Sequence, residues 1–174
     1  MLLIFFGHIG TGKTSIAKNV AARLGYEAIC FDDIVKEIFG EKKIYGGNDN
    51  FQLSLEETQK VYDKMHKQAE DKLKVGQGVV LESMYFKKQR DGALDIAKHL
   101  SRPYKLIEII CDEDVIQKRL VQRKQQDDQT PGYTLYLKYK NLLESEPESH
   151  IIVDTTNKSI EESTQEVMAN IKQI

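Results

Sequence analysis

Glycines, a lysine and a threonine near the start of the chain have the spacing of a phosphate-binding loop. Residues 7–14 read Gly-His-Ile-Gly-Thr-Gly-Lys-Thr, which matches the P-loop (Walker A) pattern G-x-x-x-x-G-K-T. The glycines let the backbone approach phosphate oxygens, because no Cβ intervenes. Lys13 is expected to reach the β- and γ-phosphates of ATP, and the Thr14 hydroxyl to hold Mg²⁺. The nucleotide-binding residues predicted from this loop are Gly7, His8, Ile9, Gly10, Thr11, Gly12, Lys13, Thr14 and Ser15.

The sequence on either side of the loop has the character that the motif requires. Residues 2–6 are apolar and aromatic and predict a buried strand. Apolar residues at helical spacing follow Thr14, and Gly25 is suited to end that helix. The first N–H groups of the helix and the positive end of its dipole would then face the bound anion.

Acidic residues follow two further predicted strands. Asp32 and Asp33 come at the end of a strand over residues 27–31, and Glu82 follows a strand over residues 79–81. Ligands of open α/β sheets bind outside the carboxyl ends of the strands, where carboxylates can orient Mg²⁺ or accept a proton from a hydroxyl. The structural alternatives are an N-cap for a short helix over residues 34–39 and an ordinary strand-end carboxylate.

Basic residues follow the third and fourth strands. Arg119 and Arg123 lie four residues apart and share one face of a predicted helix, beside a polar segment over residues 124–131 that could close as a lid. Guanidinium groups near a transferred phosphoryl group lower the barrier to transfer. Arg90 could contact an anionic group of an acceptor. A solvated helix face is the alternative for each of these arginines.

Composition predicts one domain over residues 1–174, without a basic or membrane-spanning character. The 174 residues carry a net charge of −2, which gives no electrostatic reason for general binding to nucleic acid or to a membrane. No apolar stretch reaches the roughly 18 residues of a membrane span, and the first apolar run lacks the basic start of a signal peptide. Cys30 and Cys111 are interpreted as reduced thiols of a cytoplasmic protein.

Strand-like and helix-like segments alternate along the chain. Such an alternation predicts βαβ units and a three-layer α/β/α architecture with a parallel sheet. Capping-box pairs, Ser54 with Glu57 and Ser159 with Glu162, predict the starts of two helices. Residues 41–50 are predicted to form a polar loop. The predicted strands cover residues 2–6, 27–31, 79–81, 106–111 and 151–153.

These features together resemble the small P-loop kinases of the polynucleotide-kinase-like group, which includes zeta-toxin-like and chloramphenicol-phosphotransferase-like proteins. The resemblance spans most of the chain and implies a P-loop NTPase fold with a five-stranded sheet in the order 2-3-1-4-5. It also implies transfer of the γ-phosphoryl group of ATP to a hydroxyl. The sequence segments that carry it are residues 7–14, 32–40, 79–83 with Arg90, 119–123, 146–147 and 153–155.

The resemblance also implies roles for individual residues. By position Asp32 is the candidate general base and a candidate acceptor-binding residue, with Asp33 as the alternative base. Arg119 and Arg123 correspond to lid arginines, one near the adenine or ribose of ATP and one at its phosphates, within a lid over about residues 119–133. The chain departs from the group at Val35, where an arginine is frequent, and this argues against a polynucleotide acceptor. The predicted metal ligands are Thr14, Asp33 and Glu82, and the predicted catalytic residues are Lys13, Asp32, Arg119 and Arg123.

The sequence therefore predicts an ATP- and Mg²⁺-dependent kinase that phosphorylates a hydroxyl of a small-molecule acceptor. A nucleoside or nucleotide monophosphate kinase is the nearer alternative, and a non-catalytic nucleotide-binding regulator is an alternative of another class. The acceptor pocket is expected from residues 34–66 and 84–91, with Arg90 as a candidate contact. No motif predicts the oligomeric state.

Overall fold

Five parallel strands form the sheet on which the structure is built. The computed structural model describes residues 1–40, 53–126, 132–147 and 149–172. The strands are β1 (Leu2–Phe6), β2 (Glu27–Cys30), β3 (Val79–Glu82), β4 (Tyr104–Ile110) and β5 (Ile151–Asp154). The helices are α1 (Lys13–Leu24), α2 (Phe31–Phe39), α3 (Leu55–Lys74), α4 (Lys87–His99), α5 (Glu113–Gln126), α6 (Tyr133–Tyr139) and α7 (Ile160–Lys172).

The order of the sheet is β2-β3-β1-β4-β5, which confirms the predicted three-layer α/β/α fold. All strands are parallel, and β1 lies at the centre with Phe5 opposite Glu82 of β3 and Ile107 of β4. Since side chains alternate along a strand, Leu2, Ile4 and Phe6 pack with α3 and α4, whereas Leu3 and Phe5 pack with α1 and α7. Every residue of β1 is fully buried, so the loop that follows β1 starts from a rigid base.

Helix starts are mostly where the sequence predicted them, with one displacement that affects the site. The capping boxes at Ser54 and Ser159 are both formed, as predicted. Strand β2 ends at Cys30, and Phe31 is already the first residue of α2. Asp32 and Asp33 consequently lie in the first turn of α2, where negative charge favours the helix dipole, and neither side chain caps the helix.

Two predicted loops lie wholly or partly outside the described residues. Residues 41–50 lie outside them altogether. Of the segment 124–131, the first three residues belong to α5 and were wrongly predicted as loop, because their polar character favours an exposed helix as well as a loop. Residues 127–131, on which the lid prediction depends, lie outside. No helix in the described part of the chain has the length and apolar character needed to cross a membrane.

Gly7 is the glycine whose missing side chain matters most for the loop after β1. Its φ angle is +141°, and a Cβ at this position would collide with the carbonyl oxygen of Ile109 in the neighbouring strand β4. Gly25 also has a positive φ, +66°, but a Cβ there would have no atom within 4 Å. Comparing the two glycines therefore distinguishes the cost of a positive φ angle from the cost of a steric collision.

We expect Gly7→Ala to destabilise the protein more than Gly25→Ala. Gly25→Ala should cost about 1–2 kcal/mol, the usual penalty for a left-handed L-residue. Gly7→Ala adds a collision with main-chain atoms of the central sheet, which cannot move without disturbing β4. The free energies of unfolding can be measured by urea denaturation. An equal or smaller loss for Gly7→Ala would contradict this account of the loop.

Candidate functional site

A cavity of about 720 Å³ opens beside the loop at residues 7–14 and extends towards α2, α3, α5 and α6. Its position at the carboxyl ends of β1 and β3 is where ligands of open parallel sheets bind. Ten of the residues predicted for the site line this cavity: Ile9, Gly10, Gly12, Lys13, Thr14, Ser15, Asp32, Glu82, Arg119 and Arg123. The other predicted residues, Gly7, His8, Thr11, Asp33 and Arg90, lie outside its lining.

The floor of the cavity holds a buried pair of opposite charges. Lys13 Nζ lies 3.6 Å from Glu82 Oε1, and only 11% and 4% of the two side chains are exposed. The Thr14 hydroxyl hydrogen-bonds to the Glu82 carboxylate. Burial raises the pKa of Glu82, and the charge of Lys13 opposes that rise. The lysine and threonine of the P-loop are thus joined to the carboxylate that follows β3.

The oxygen atoms at this floor fit a magnesium ion. Thr14 and Glu82 supply a hydroxyl and a carboxylate in contact with one another, and Asp32 lines the same cavity. Mg²⁺ prefers oxygen ligands and commonly uses one or two carboxylates together with water and substrate phosphates. Across the described residues no group of three or more His, Cys, Asp or Glu could hold a metal ion by itself. A magnesium ion here would therefore depend on phosphate oxygens of the nucleotide.

The two aspartates at the start of α2 have different surroundings. Asp32 lines the cavity, whereas Asp33 forms a 2.7 Å ion pair with Lys18 of α1. The hydrogen bond to Asp33 raises the pKa of Lys18. Consecutive residues of a helix point about 100° apart, and Asp32 and Asp33 accordingly have different neighbours. The predicted metal site required Asp33 to lie beside Thr14 and Glu82. In the structure Asp33 contacts Lys18 instead.

Arg119 connects the P-loop to Thr155, the residue that follows the edge strand β5. Its guanidinium donates to the Thr155 carbonyl at 2.7 Å and to the Thr155 hydroxyl at 3.1 Å. The buried Thr155 hydroxyl in turn donates to the Thr11 carbonyl at 2.8 Å. The sequence identified the strand end at residues 153–155 but gave Thr155 no role. Arg123 lies one turn further along α5 and also lines the cavity, as predicted for a pair on one helix face.

His8 supports the P-loop through its main chain. Its carbonyl accepts hydrogen bonds from the Thr11 hydroxyl at 2.9 Å and from Lys13 Nζ at 3.4 Å. Its ring lies edge-on to Tyr136 of α6, with 5.7 Å between the centroids. Burial lowers the pKa of His8, and the charge of Lys13 lowers it further. The His8 ring is therefore held in contact with α6, outside the cavity lining.

Arg90 is a structural residue and not the acceptor contact that we predicted. Its side chain is fully buried and pairs with Glu146 at 2.8 Å. It also donates to the carbonyls of Tyr85 at 2.7 Å and Glu144 at 2.9 Å, and lies over the Phe6 ring at 4.7 Å. These contacts occupy the guanidinium and fasten residues 144–146 to the start of α4. No local feature of the sequence indicates this, because the acidic partner Glu146 and the Glu144 carbonyl are more than 50 residues away.

We expect Arg90→Ala to destabilise the fold, because it removes the cation of a buried ion pair with Glu146. Breaking a buried ion pair in this way typically costs about 3–5 kcal/mol. Lys88→Ala, an exposed change on the same helix, is the control and should cost little. Urea denaturation of both variants provides the measurement. Similar free energies of unfolding for the two variants would show that Arg90 does not stabilise the fold.

Apart from the P-loop, Asp32, Glu82 and residues of α5, the rest of the cavity lining is mostly apolar and aromatic. Most of its residues fall within the segments 34–66 and 84–91, where we expected the acceptor pocket. Leu135 and Tyr139 of α6 were not predicted, since apolar residues on a short helix are usually packing residues. The residues of this apolar part of the lining are Phe31, Val35, Leu53, Thr58, Tyr62, Ser83, Met84, Phe86, Leu135 and Tyr139.

Comparison with known proteins assigns the family. The model of the AAA domain family AAA_33 matches residues 2–135, which include the P-loop, Asp32, Glu82 and both arginines of α5. The chain belongs to this family. The matched segment contains every described residue that lines the cavity except Tyr139 of α6.

Kinases of small molecules are among the proteins similar to this AAA domain. A shikimate kinase from Thermodesulfovibrio yellowstonii is 30% identical over 97 residues, which are 53% of this chain and about half (54%) of that protein. A gluconokinase from Sinorhizobium meliloti has a TM-score of 0.74 at 17% identity, covering 97% of this chain and 90% of that one. The APS kinase of Mycobacterium tuberculosis in complex with AMPPNP and APS has a TM-score of 0.66 at 16% identity, covering 99% and 97%. The structural similarities show a shared fold, that of small P-loop kinases.

Proposed function

We propose that this protein is an ATP- and Mg²⁺-dependent kinase that transfers the γ-phosphoryl group of ATP to a hydroxyl of a small molecule. The observation that carries the proposal is that one cavity joins Lys13, Thr14 and Glu82 to Asp32 and to a separate apolar region. A volume of about 720 Å³ lies within the usual range of ligand sites. The cavity therefore offers a phosphate end, a carboxylate base and space for a second substrate.

The P-loop and α5 would bind the nucleotide. The N-terminus of α1 and the loop N–H groups favour phosphate oxygens, and Lys13 supplies a positive charge at the cavity floor. Arg119, which donates to Thr155, would contact the nucleoside end of ATP. Thr14 and Glu82 would hold Mg²⁺, which when bound neutralises charge on the β- and γ-phosphates.

The proposed reaction is an in-line displacement. The oxygen of the acceptor hydroxyl forms a bond to the γ-phosphorus, and the bond from that phosphorus to the bridging oxygen of ADP breaks. Asp32 accepts the hydroxyl proton. Lys13 and Arg123 stabilise the negative charge that spreads over the transferred group. The products are ADP and a phosphate monoester.

The similar proteins support this proposal. A shikimate kinase, a gluconokinase and an APS kinase are named for phosphorylation of small molecules, and the APS kinase complex contains AMPPNP together with APS. An enzyme that uses ATP in this way would work in the cytoplasm, and we include that location in the proposal. The polynucleotide-kinase-like subgroup and a lid over residues 119–133 stay predictions from the sequence.

A screen for ADP formation tests the proposed activity. Purified protein with Mg²⁺ and ATP would be offered hydroxyl compounds, including shikimate and gluconate, and nucleoside monophosphates. We expect ADP formation that depends on a hydroxyl acceptor and is lost in Lys13→Ala but kept in Lys18→Ala, an exposed lysine on the same helix. Activity with monophosphates alone would identify a nucleotide kinase. ATP binding with no transfer to any acceptor would favour a non-catalytic regulator.

Asp32→Asn and Asp33→Asn form a matched pair for the assignment of the base. Asp32→Asn should reduce acceptor phosphorylation strongly while ATP binding and stability are kept, because it removes a charge and keeps the side-chain size. Asp33→Asn should leave transfer near the wild-type rate and should weaken only the contact with Lys18. Turnover, nucleotide affinity and thermal unfolding are the measurements. Full activity of folded Asp32→Asn, or a larger loss of turnover in Asp33→Asn, would refute this assignment.

Arg123→Ala tests the positive charge on α5. We expect kcat to fall by on the order of 10²-fold or more if Arg123 stabilises charge in the transition state, as mobile arginines do in other phosphoryl transferases. Lys118→Ala removes an exposed charge from the same helix and is the control. Steady-state kinetics would give kcat and KM separately. A change in KM alone would assign Arg123 to ground-state binding.

A further inference from the structure

Among the residues that the structure describes, the charged side chains lining the cavity belong to the P-loop, Asp32, Glu82 and α5. In the part of the chain that the structure describes, the charged lining residues are Lys13, Asp32, Glu82, Arg119 and Arg123. Lys13 is paired with Glu82, and Arg119 is fastened to Thr155. These three cations and two carboxylates have a net charge of about +1, which is less than the negative charge of a bound triphosphate. No described lining residue provides a separate cation for an anionic acceptor.

Two pairs of aromatic rings border the remainder of the cavity. The Phe31 and Tyr62 rings have centroids 5.2 Å apart, and the Phe86 and Tyr139 rings 6.4 Å apart. Aliphatic side chains of α2, α6 and the segment after β3 complete this region. Aromatic and aliphatic walls bind a ligand by burying its apolar surface, and flat rings favour a planar ligand.

The polar groups within this region are uncharged hydroxyls. Tyr62 Oη lies 2.8 Å from Ser83 Oγ, and both residues are nearly fully buried although they line the cavity. Either oxygen can be the donor, so the pair can both donate to and accept from a ligand group. Burial raises the pKa of Tyr62 to about 12, which keeps its hydroxyl neutral. Thr58 adds a third hydroxyl on α3.

We infer that the acceptor is an uncharged alcohol with a planar, largely apolar body. Its body would lie against the aromatic pairs, a neutral polar group would bond to the Tyr62 and Ser83 hydroxyls, and its reacting hydroxyl would face Asp32. An acceptor with a carboxylate, sulfate or phosphate of its own would place a like charge beside Asp32, Glu82 and ATP. Such like-charge contacts weaken binding when they are poorly hydrated. This inference rests on the proposed kinase function.

Two probes of matched shape test the inference. The amide 4-(2-hydroxyethyl)benzamide is neutral, and 4-(2-hydroxyethyl)benzoate has the same ring and hydroxyl with a negative charge. Calorimetric titration with Mg²⁺ and a non-hydrolysable ATP analogue present gives both dissociation constants. We expect the amide to bind about tenfold tighter or more. Equal or tighter binding of the benzoate, or no binding of either probe, would overturn the inference.

A charge placed on α3 tests the electrostatic origin of this preference. Thr58 is partly exposed at the cavity, so Thr58→Lys can add a cation without burying it, and Thr58→Gln is a neutral control of similar length. The amide preference should shrink in Thr58→Lys and persist in Thr58→Gln. An unchanged preference in Thr58→Lys would contradict the charge argument. Binding of the ATP analogue is measured in the same samples. If the wild-type protein does not bind the analogue, the kinase function itself is refuted; if it does, the result tests the acceptor inference alone.

Discussion

The buried ion pair between Lys13 and Glu82 is the interaction on which the proposed site depends. Each charge lies almost out of contact with water, and each would be costly without the other. The pairing is possible because β1 and β3 are neighbours in the sheet, with Phe5 directly opposite Glu82. A fold that separated these strands would leave the P-loop lysine and the carboxylate apart. The sheet order is therefore part of the chemistry of the site.

In the proposed function, the same pair would keep both charges available to ligands. On the proposed function, Lys13 would contact phosphate oxygens, and Glu82 together with the Thr14 hydroxyl would contact a magnesium ion. Hydrogen bonds and a second ion pair hold the surroundings of the Lys13–Glu82 pair. Arg119 and Thr155 brace the P-loop from β5, whereas Arg90 and Glu146 fasten the segment before β5 to α4. These arginines differ in their roles because one borders the cavity and the other is fully enclosed.

Local sequence signals predicted the parts of the fold that depend on neighbouring residues. Each of these signals depends on residues that are close in the sequence. They are the P-loop, the strand before it and both capping boxes. The different surroundings of Asp32 and Asp33 were not predictable in this way. An error of one residue in the start of α2 changes which side chain faces the cavity, because adjacent helical residues point in different directions.

Long-range contacts were the other limit of prediction. Arg90 resembled a solvated or ligand-binding arginine in the sequence, and only the fold brings Glu144 and Glu146 to it. Leu135 and Tyr139 reach the cavity because α6 packs beside α5, which no local pattern indicates. The apolar half of the site was therefore predicted as a region of the chain but not as a set of side chains.

The central claim is that the charges at the cavity floor serve to bind Mg²⁺ together with ATP. Calorimetric titration of a non-hydrolysable ATP analogue, with and without Mg²⁺, tests it most directly in the wild type and in Glu82→Gln. We predict that Mg²⁺ strengthens binding to the wild type and that this gain falls by about 10–100-fold in the variant, the usual effect of losing a residue that supports a metal. An equal gain from Mg²⁺ in both proteins, with both folded, would contradict the account.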